Sequence, residues 1–167
     1  MYSTFNTFEY NGAEFQRVHF GELLFYKVSF PLVSKTTGQH VADYNLFLRN
    51  DPRTLRSIPI KGSLNIQQHV LITSDENLVC ADNNIALANL VQFVQNIASS
   101  DVQARANVTC KNNPAQTTLI SIQNSSESWI EESGQDCYVL HLKECAVLNV
   151  TERFIVGTIA QSRGYSI

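Results

Sequence analysis

The four cysteines are the residues of this chain with the widest choice of chemistry: Cys80, Cys110, Cys137 and Cys145. A cysteine can form a disulfide, ligate a metal as the thiolate or act as a nucleophile. No two of them have the Cys-x-x-Cys spacing that is typical of zinc sites, so we expect no metal centre. Four cysteines permit three complete disulfide pairings, and composition does not choose among them.

The stretch CYVLHLKEC (137–145) restricts the pairing, because apolar residues alternate along it as they do in a strand. On a straight strand its two cysteines would lie about 26 Å apart at about 3.3 Å per residue. The Cα atoms of a disulfide lie within about 7 Å of each other. Any disulfide therefore has to reach across to Cys80 or Cys110. The N-terminus has no basic and apolar segments of a secretory signal, so we expect free thiols instead.

The four histidines stand in four different predicted strands: His19, His40, His69 and His141. His141 would lie about 13 Å from each of Cys137 and Cys145 along a strand, too far for a hydrogen bond or a shared metal. Nucleotide-binding and hydrolase motifs of the types G-x-G-x-x-G, G-x-S-x-G and H-E-x-x-H are missing. We predict no catalytic residue, no metal ligand and no cofactor, and an enzyme is the least favoured class.

One basic cluster stands out in a proline-containing loop at residues 49–62: Arg49, Arg53, Arg56 and Lys61. Such a cluster could contact the phosphates of a nucleic acid or an acidic partner surface. The alternative, which we favour, is a solvated loop whose arginines pair with local carboxylates such as Asp51. The net charge of −3 supplies no general field that would attract nucleic acid.

A helical period appears once, over residues 83–100, with apolar residues at Leu87, Leu90, Val91, Val94, Ile97 and Ala98. Its polar face is uncharged and consists of Asn89, Gln92, Gln95, Asn96 and Ser99. Because a solvated helix face normally carries charges, this face indicates contact with another surface, within the fold or in a neighbouring subunit. Composition alone could also produce it. Four of the amides form a candidate subunit interface: Asn89, Gln92, Gln95 and Asn96.

The remaining elements are predicted as strands. Asn11-Gly12 predicts a type I′ hairpin that sets Tyr10 opposite Ala13, Phe8 opposite Phe15, and Glu9 opposite Glu14. Further strands are predicted at 23–33, 40–48, 63–74, 102–110, 117–123, 137–150 and 154–160, with turns at 111–116, 124–128 and 131–136. Pro31 predicts a sheet edge or a bulge.

These patterns predict a mainly β protein, an antiparallel sandwich or sheet with one mid-chain helix; the alternative is an α+β fold with the helix packed on one sheet. We expect one domain, 1–167, with a short tail at 161–167 that could be extended. No apolar run is long enough for a membrane span. Three glycosylation triplets, at Asn107, Asn124 and Asn149, are interpreted as coincidences of a composition rich in Asn, Ser and Thr.

Composition supports one function class over others. Hydrophobic residues make up 44% of the chain and charged residues only 16%, against a usual charged fraction of about 25%. We expect a structural assembly subunit, such as a virion coat, tail or fibre-like protein, that binds itself through the uncharged helix and strand edges. This favours a virion or extracellular assembly over a cytoplasmic enzyme. The alternative is an extracellular or surface β-sandwich that binds a ligand.

Overall fold

The structure, a computed structural model, describes residues 6–97 and 100–167. Two sheets, of four and six strands, and two helices place 40% of the chain in strands and 21% in helices. The prediction of a mainly β fold is confirmed. Ala98 and Ser99, which the sequence places on the helix, lie outside the described residues.

The first sheet is an antiparallel meander of β1 (Thr7–Tyr10), β2 (Ala13–Phe20), β3 (Leu23–Val33) and β4 (His40–Leu48). The predicted hairpin register is confirmed in all three pairs. Asn11 and Gly12 both have positive φ, 48° and 72°, as a type I′ turn requires. Pairing of β2 with β3 stops at Lys27, so Pro31 lies where β3 has one neighbour, just before a register shift. The predicted edge is confirmed.

The second sheet is mixed: among the described residues, β9 with β10 is its one antiparallel pair. Its spatial order is β5-β9-β10-β8-β6-β7. The strands are β5 (Ile60–Lys61), β6 (His69–Ser74), β7 (Asp101–Ala104), β8 (Thr117–Asn124), β9 (Trp129–Gly134) and β10 (Cys137–Leu142). The turn predicted at 131–136 is wrong, because β9 occupies most of it and the chain reverses at residues 135–136. The strand predicted at 102–110 ends at Ala104.

The strand predicted at 63–74 begins only at His69. In the preceding residues, backbone N–H groups donate to side chains instead of to a neighbouring strand. Asn65 N donates to Tyr138 Oη at 2.7 Å, and Gln67 N donates to Thr118 Oγ1 at 2.8 Å. These side-chain acceptors satisfy the backbone groups without a sheet ladder.

Helix α1 (Asn83–Asn96) is the predicted helix. The strand predicted at 137–150 ends at Leu142, and a second helix, α2 (Val147–Ser162), replaces its last part and the strand predicted at 154–160. Twelve of the 16 residues of α2 are buried. Its sequence is rich in Val, Ile, Phe and Thr, which are typical of strands, so local propensity predicts the wrong element. Between β10 and α2 the chain turns at Glu144 and Cys145, whose φ angles are 50° and 61°.

The helices form the middle layer of the molecule. One contiguous cluster of buried side chains comes from the inner face of the first sheet, from both helices and from one face of the second sheet. The strand reading of 137–142 is confirmed in its faces: Tyr138, Leu140 and Leu142 belong to this core, and Cys137 belongs to a separate small cluster. Gly157 of α2 permits close packing, because a Cβ there would lie 2.7 Å from Ile60 Cδ1.

Two buried charged residues of α2 fasten the loop that leaves the first sheet. The fully buried Glu152 carboxylate accepts hydrogen bonds from Arg49 N at 2.6 Å, Asn50 N at 3.0 Å and Asn50 Nδ2 at 2.7 Å. Arg153, 4% exposed, donates from Nε to the carbonyl of Ile58 at 2.9 Å. The first sheet is therefore held on the helix layer by polar contacts as well as by apolar packing.

All four cysteines are paired, Cys80 with Cys145 and Cys110 with Cys137, each at a Cα–Cα distance of 5.5 Å. The expectation of free thiols is wrong, and the prediction that each terminal cysteine of 137–145 must reach across is confirmed. The first bond joins the segment before α1 to the turn before α2. The second holds the loop at 105–116 over Leu71 and Leu119, on the sheet face that points away from the helices.

Residues 163–167, in the region where the sequence predicts a tail, lie against the rest of the chain. Arg163 Nη1 donates to the carbonyl of Gly12. The ring of Tyr165 lies so close to Gly12 that a Cβ there would be 2.6 Å from Tyr165 Cε2. Ile167 packs against the main core.

The stability of the protein should depend on the protonation of Glu152. Burial raises the pKa of Glu152 from 4.5 to about 6, although its three N–H donors favour the ionised form. The folded carboxyl therefore holds its proton more tightly than the unfolded one, and stability falls as the pH rises from 4.5 through 6. The measured quantity is the free energy of unfolding of the wild type minus that of Glu152→Gln. We expect this difference to fall by about 2 kcal/mol between about pH 4 and about pH 7.

Urea unfolding at several pH values measures this difference. Other titrating groups, such as Asp51, are common to both proteins and cancel. A difference that does not change with pH would contradict the assignment to Glu152.

The two disulfides should contribute unequally to stability. Peptide mapping without reduction is expected to find the pairs Cys80–Cys145 and Cys110–Cys137 and no free thiol. The first bond spans 65 residues and the second 27. The loop-entropy model then gives a loss of about 4 kcal/mol for serine at both positions of the first pair, and about 3.5 kcal/mol for the second. Urea unfolding of the two double variants measures these losses. A peptide map with any other cysteine pairing would refute the structural assignment.

Candidate functional site: the outer face of the first sheet

The outer face of the first sheet carries a cluster of three phenylalanines. The inner face of this sheet packs on the core through Phe15, Val28 and other alternating residues. On the opposite face, the ring centroids of Phe20 and Phe25 lie 5.4 Å apart, and those of Phe20 and Phe47 lie 5.5 Å apart. Both pairs have edge-to-face geometry, which is favourable for aromatic rings. Three adjacent strands supply the three rings.

The cluster continues into a larger apolar surface that is open to solvent. Val18 lies opposite Phe25 and Leu23 lies opposite Phe20 in the register of β2 with β3. Phe20 is 54% exposed and Leu23 is 49% exposed, while the other members are half-buried. We call this surface the aromatic patch: Val18, Phe20, Leu23, Phe25 and Phe47. Contiguous apolar surface of this kind on a folded chain is a candidate contact site.

Charges of opposite sign flank the aromatic patch. Glu22 lies exposed in the turn at one end. At the other end Lys27 stands opposite Phe47, and the Arg49 guanidinium carbon lies 4.8 Å from the centroid of the Phe25 ring. An arginine at this distance over a ring makes a favourable cation–π contact. The patch is therefore acidic at the turn and basic where β4 ends.

The four basic residues of the predicted cluster have different contacts, although Arg53 and Arg56 border the same cleft. Arg49 borders the aromatic patch, and Lys61 lies on β5, with its Nζ 5.6 Å from the Trp129 ring. Arg53 binds Asp51, with Nη2 2.5 Å from Oδ2, and its guanidinium carbon lies 4.1 Å from the Phe8 ring centroid. Arg56 is exposed. The contacts of Arg53 match the solvated loop that we favoured, with an arginine paired to a local carboxylate.

The pKa of Asp51 reflects this pairing. The hydrogen bonds from the Arg53 side chain are the largest cause that holds the pKa of Asp51 below its usual value, against the opposing effect of partial burial. The Arg53–Asp51 contact is thus a local ion pair between an exposed arginine and a partly buried aspartate.

The amides of α1 are divided between the fold and the solvent. Asn89 is half-buried, and its Nδ2 donates to the carbonyl of Phe47 on β4 at 3.4 Å. Asn96 Nδ2 donates to the carbonyl of Gln92 within the helix at 2.8 Å. The Gln92 and Gln95 side chains are exposed. One of the four amides thus contacts another element of the same chain, and two remain available to a neighbour.

A second group of polar and aromatic side chains lies on the outer face of the second sheet. The rings of Trp129 and His141 stack at 3.8 Å between centroids, and His141 Nε2 lies 2.9 Å from Glu131 Oε1. Among the described residues, no three side chains of the His, Cys, Asp or Glu type come together where they could hold a metal ion. The His141–Glu131 pair stands beside Gln123, whose Nε2 donates to Ser121 Oγ at 2.9 Å.

The aromatic patch was missed at the sequence level, although a signal for it exists. A strand with one solvated face alternates apolar and polar residues. In LLFYKV at the start of β3, apolar residues occupy both odd-numbered and even-numbered positions. On β2, Val18 and Phe20 are apolar although they lie on the opposite face from the buried Phe15. Such a break in alternation indicates that the second face is also apolar. It does not say whether that face is covered, which the structure decides.

Comparisons with known proteins add no function. No family model matches the chain, and neither a curated protein nor a solved structure is significantly similar to it. In the described part of the chain, neither helix has the length and apolar character needed to cross a membrane. The site must be interpreted from its own geometry.

Proposed function

We propose that the protein is a structural subunit of an extracellular or virion assembly, and that it associates with a second copy of itself through the aromatic patch. The single observation that carries this proposal is the exposure of Phe20 and Leu23 beside two further phenylalanines on a sheet face. Sheets pack face to face through apolar side chains, at about 10 Å between sheets. A second copy would bury the patch in the same way.

The charges around the aromatic patch suit a two-fold contact. In an isologous interface the same surface meets itself in the opposite direction. The acidic turn of one copy, with Glu22, would then face the basic end of the other copy, with Lys27 and Arg49. Opposite charges at the rim give such a contact its register and increase its rate of formation.

The two disulfides support a role in an oxidising compartment, such as the outside of a cell or a particle. They also favour the second candidate function, a secreted or surface binding module whose aromatic patch accepts a different protein. Self-association is preferred because the opposite charges at the two ends of the patch make it complementary to itself. The two functions differ in the oligomeric state of the purified chain.

Sedimentation velocity over a range of concentrations should show a dimer or a larger assembly of the wild type. We expect Phe20→Ser to raise the dissociation constant roughly 30-fold, because a half-exposed phenylalanine contributes about 1 kcal/mol and occurs twice in a two-fold contact. Val79→Ser is the matched control, since Val79 is 88% exposed and lies outside the patch.

Charge reversal tests the two-fold geometry separately. Glu22→Lys and Lys27→Glu should each weaken association, and the double variant should restore most of it. A wild type that remains a monomer at every concentration, or a control that weakens association as much as Phe20→Ser, would refute the proposal.

A further inference from the structure

A cleft of about 740 Å³ opens at one end of the helix layer, on the opposite side of the first sheet from the aromatic patch. Phe30 of β3 contributes to its wall from the inner face of that sheet. Phe93 and Ile97 of α1 and Ile159 of α2 supply further apolar surface. The volume lies in the range of about 300–1,000 Å³ that is typical of small-molecule sites.

The polar groups of the cleft are concentrated where α2 ends. Arg163 is the one charged side chain among the described residues that line it. The Arg163 guanidinium carbon lies 6.0 Å from the Phe30 ring centroid, so the positive charge stands beside the apolar wall. Nη1 donates to the Gly12 carbonyl, and in the described chain no carboxylate forms an ion pair with this guanidinium.

Two carbonyl groups at the end of α2 already accept hydrogen bonds from backbone N–H groups. The carbonyl of Ala160 accepts from the N–H groups of Arg163 and Tyr165, and that of Gln161 accepts from Gly164 N. These bonds satisfy two of the last carbonyls of the helix, and the positive Arg163 stands at the helix end where a cation is favourable. The guanidinium keeps N–H donors beyond the one used by Gly12.

We propose that this cleft binds a small amphipathic anion, a fatty-acid-like molecule with an apolar body and one carboxylate. The apolar body would lie against Phe30, Phe93 and Ile159, and the carboxylate would accept hydrogen bonds from Arg163. Charge complementarity selects this class, because the described lining offers one cation, no carboxylate, and an apolar wall opposed by the polar end of α2. Arginine and carboxylate form strong, charge-assisted hydrogen bonds.

Binding of this class is independent of self-association, since the cleft and the aromatic patch lie on opposite sides of the first sheet. Isothermal titration calorimetry of the full chain should compare dodecanoate with dodecanol, which has the same chain and no charge. We expect one dodecanoate per chain, bound at least about tenfold more tightly than dodecanol, because only the carboxylate forms charge-assisted hydrogen bonds with Arg163.

Two variants test separately the positive charge of Arg163 and the open volume of the cleft. Arg163→Gln should weaken dodecanoate binding about tenfold and leave dodecanol unchanged, whereas Arg105→Gln, an exposed arginine elsewhere, should change neither. Thr158→Phe places a ring in the cleft and should abolish binding of both compounds. Near-ultraviolet circular dichroism verifies its fold, and Ser166→Trp, at another lining position, serves if that variant does not fold.

Several results would overturn the proposal. One is the absence of dodecanoate binding by the wild type. Another is equal affinity for dodecanoate and dodecanol, and a third is unchanged dodecanoate affinity in Arg163→Gln. Loss of binding in Phe20→Ser would place the ligand on the aromatic patch and would also overturn it.

Discussion

The burial of α2 on all sides is the constraint on which the rest of the structure depends. A helix with most of its residues buried needs a covering layer on both sides, and the two sheets provide it. The same burial encloses Glu152 and Arg153, and a buried polar group without a partner costs several kcal/mol. The loop at 49–58 supplies those partners. The end of β4, and with it the first sheet, is thereby fixed on the helix layer.

The turn between β10 and α2 lets that helix run back across the sheet. Two consecutive residues there, Glu144 and Cys145, adopt the left-handed backbone region, which is unfavourable for residues other than glycine. The Cys80–Cys145 disulfide holds this turn against the segment that precedes α1. Covalent cross-linking and a strained turn thus act at one place, and together they position the start of both helices.

Both candidate surfaces follow from the layered arrangement. The first sheet is apolar on two faces, but the helix layer covers only one of them, so the aromatic patch stays open. The helix layer ends at the last turn of α2 and the last turn of α1, and the space there between these turns, Phe30 of β3 and the segment 64–66 forms the cleft. Residues 163–166 line it, with Arg163 and Tyr165 lying against the hairpin at Gly12. The charged residues that flank the aromatic patch and Arg163 in the cleft therefore belong to separate sites.

The sequence by itself determined the parts that depend on contacts between near neighbours. The Asn11-Gly12 turn sets the hairpin register within a few residues, and α1 keeps its helical period because one side faces solvent. Strand geometry likewise excluded a bond between Cys137 and Cys145. Only the tertiary structure decided that 147–162 is a helix, since packing against both sheets overrides the strand propensity of its Val, Ile, Phe and Thr residues. It also decided the parallel pairing of β6 with β8 and the disulfide partners, because these depend on residues far apart in the chain.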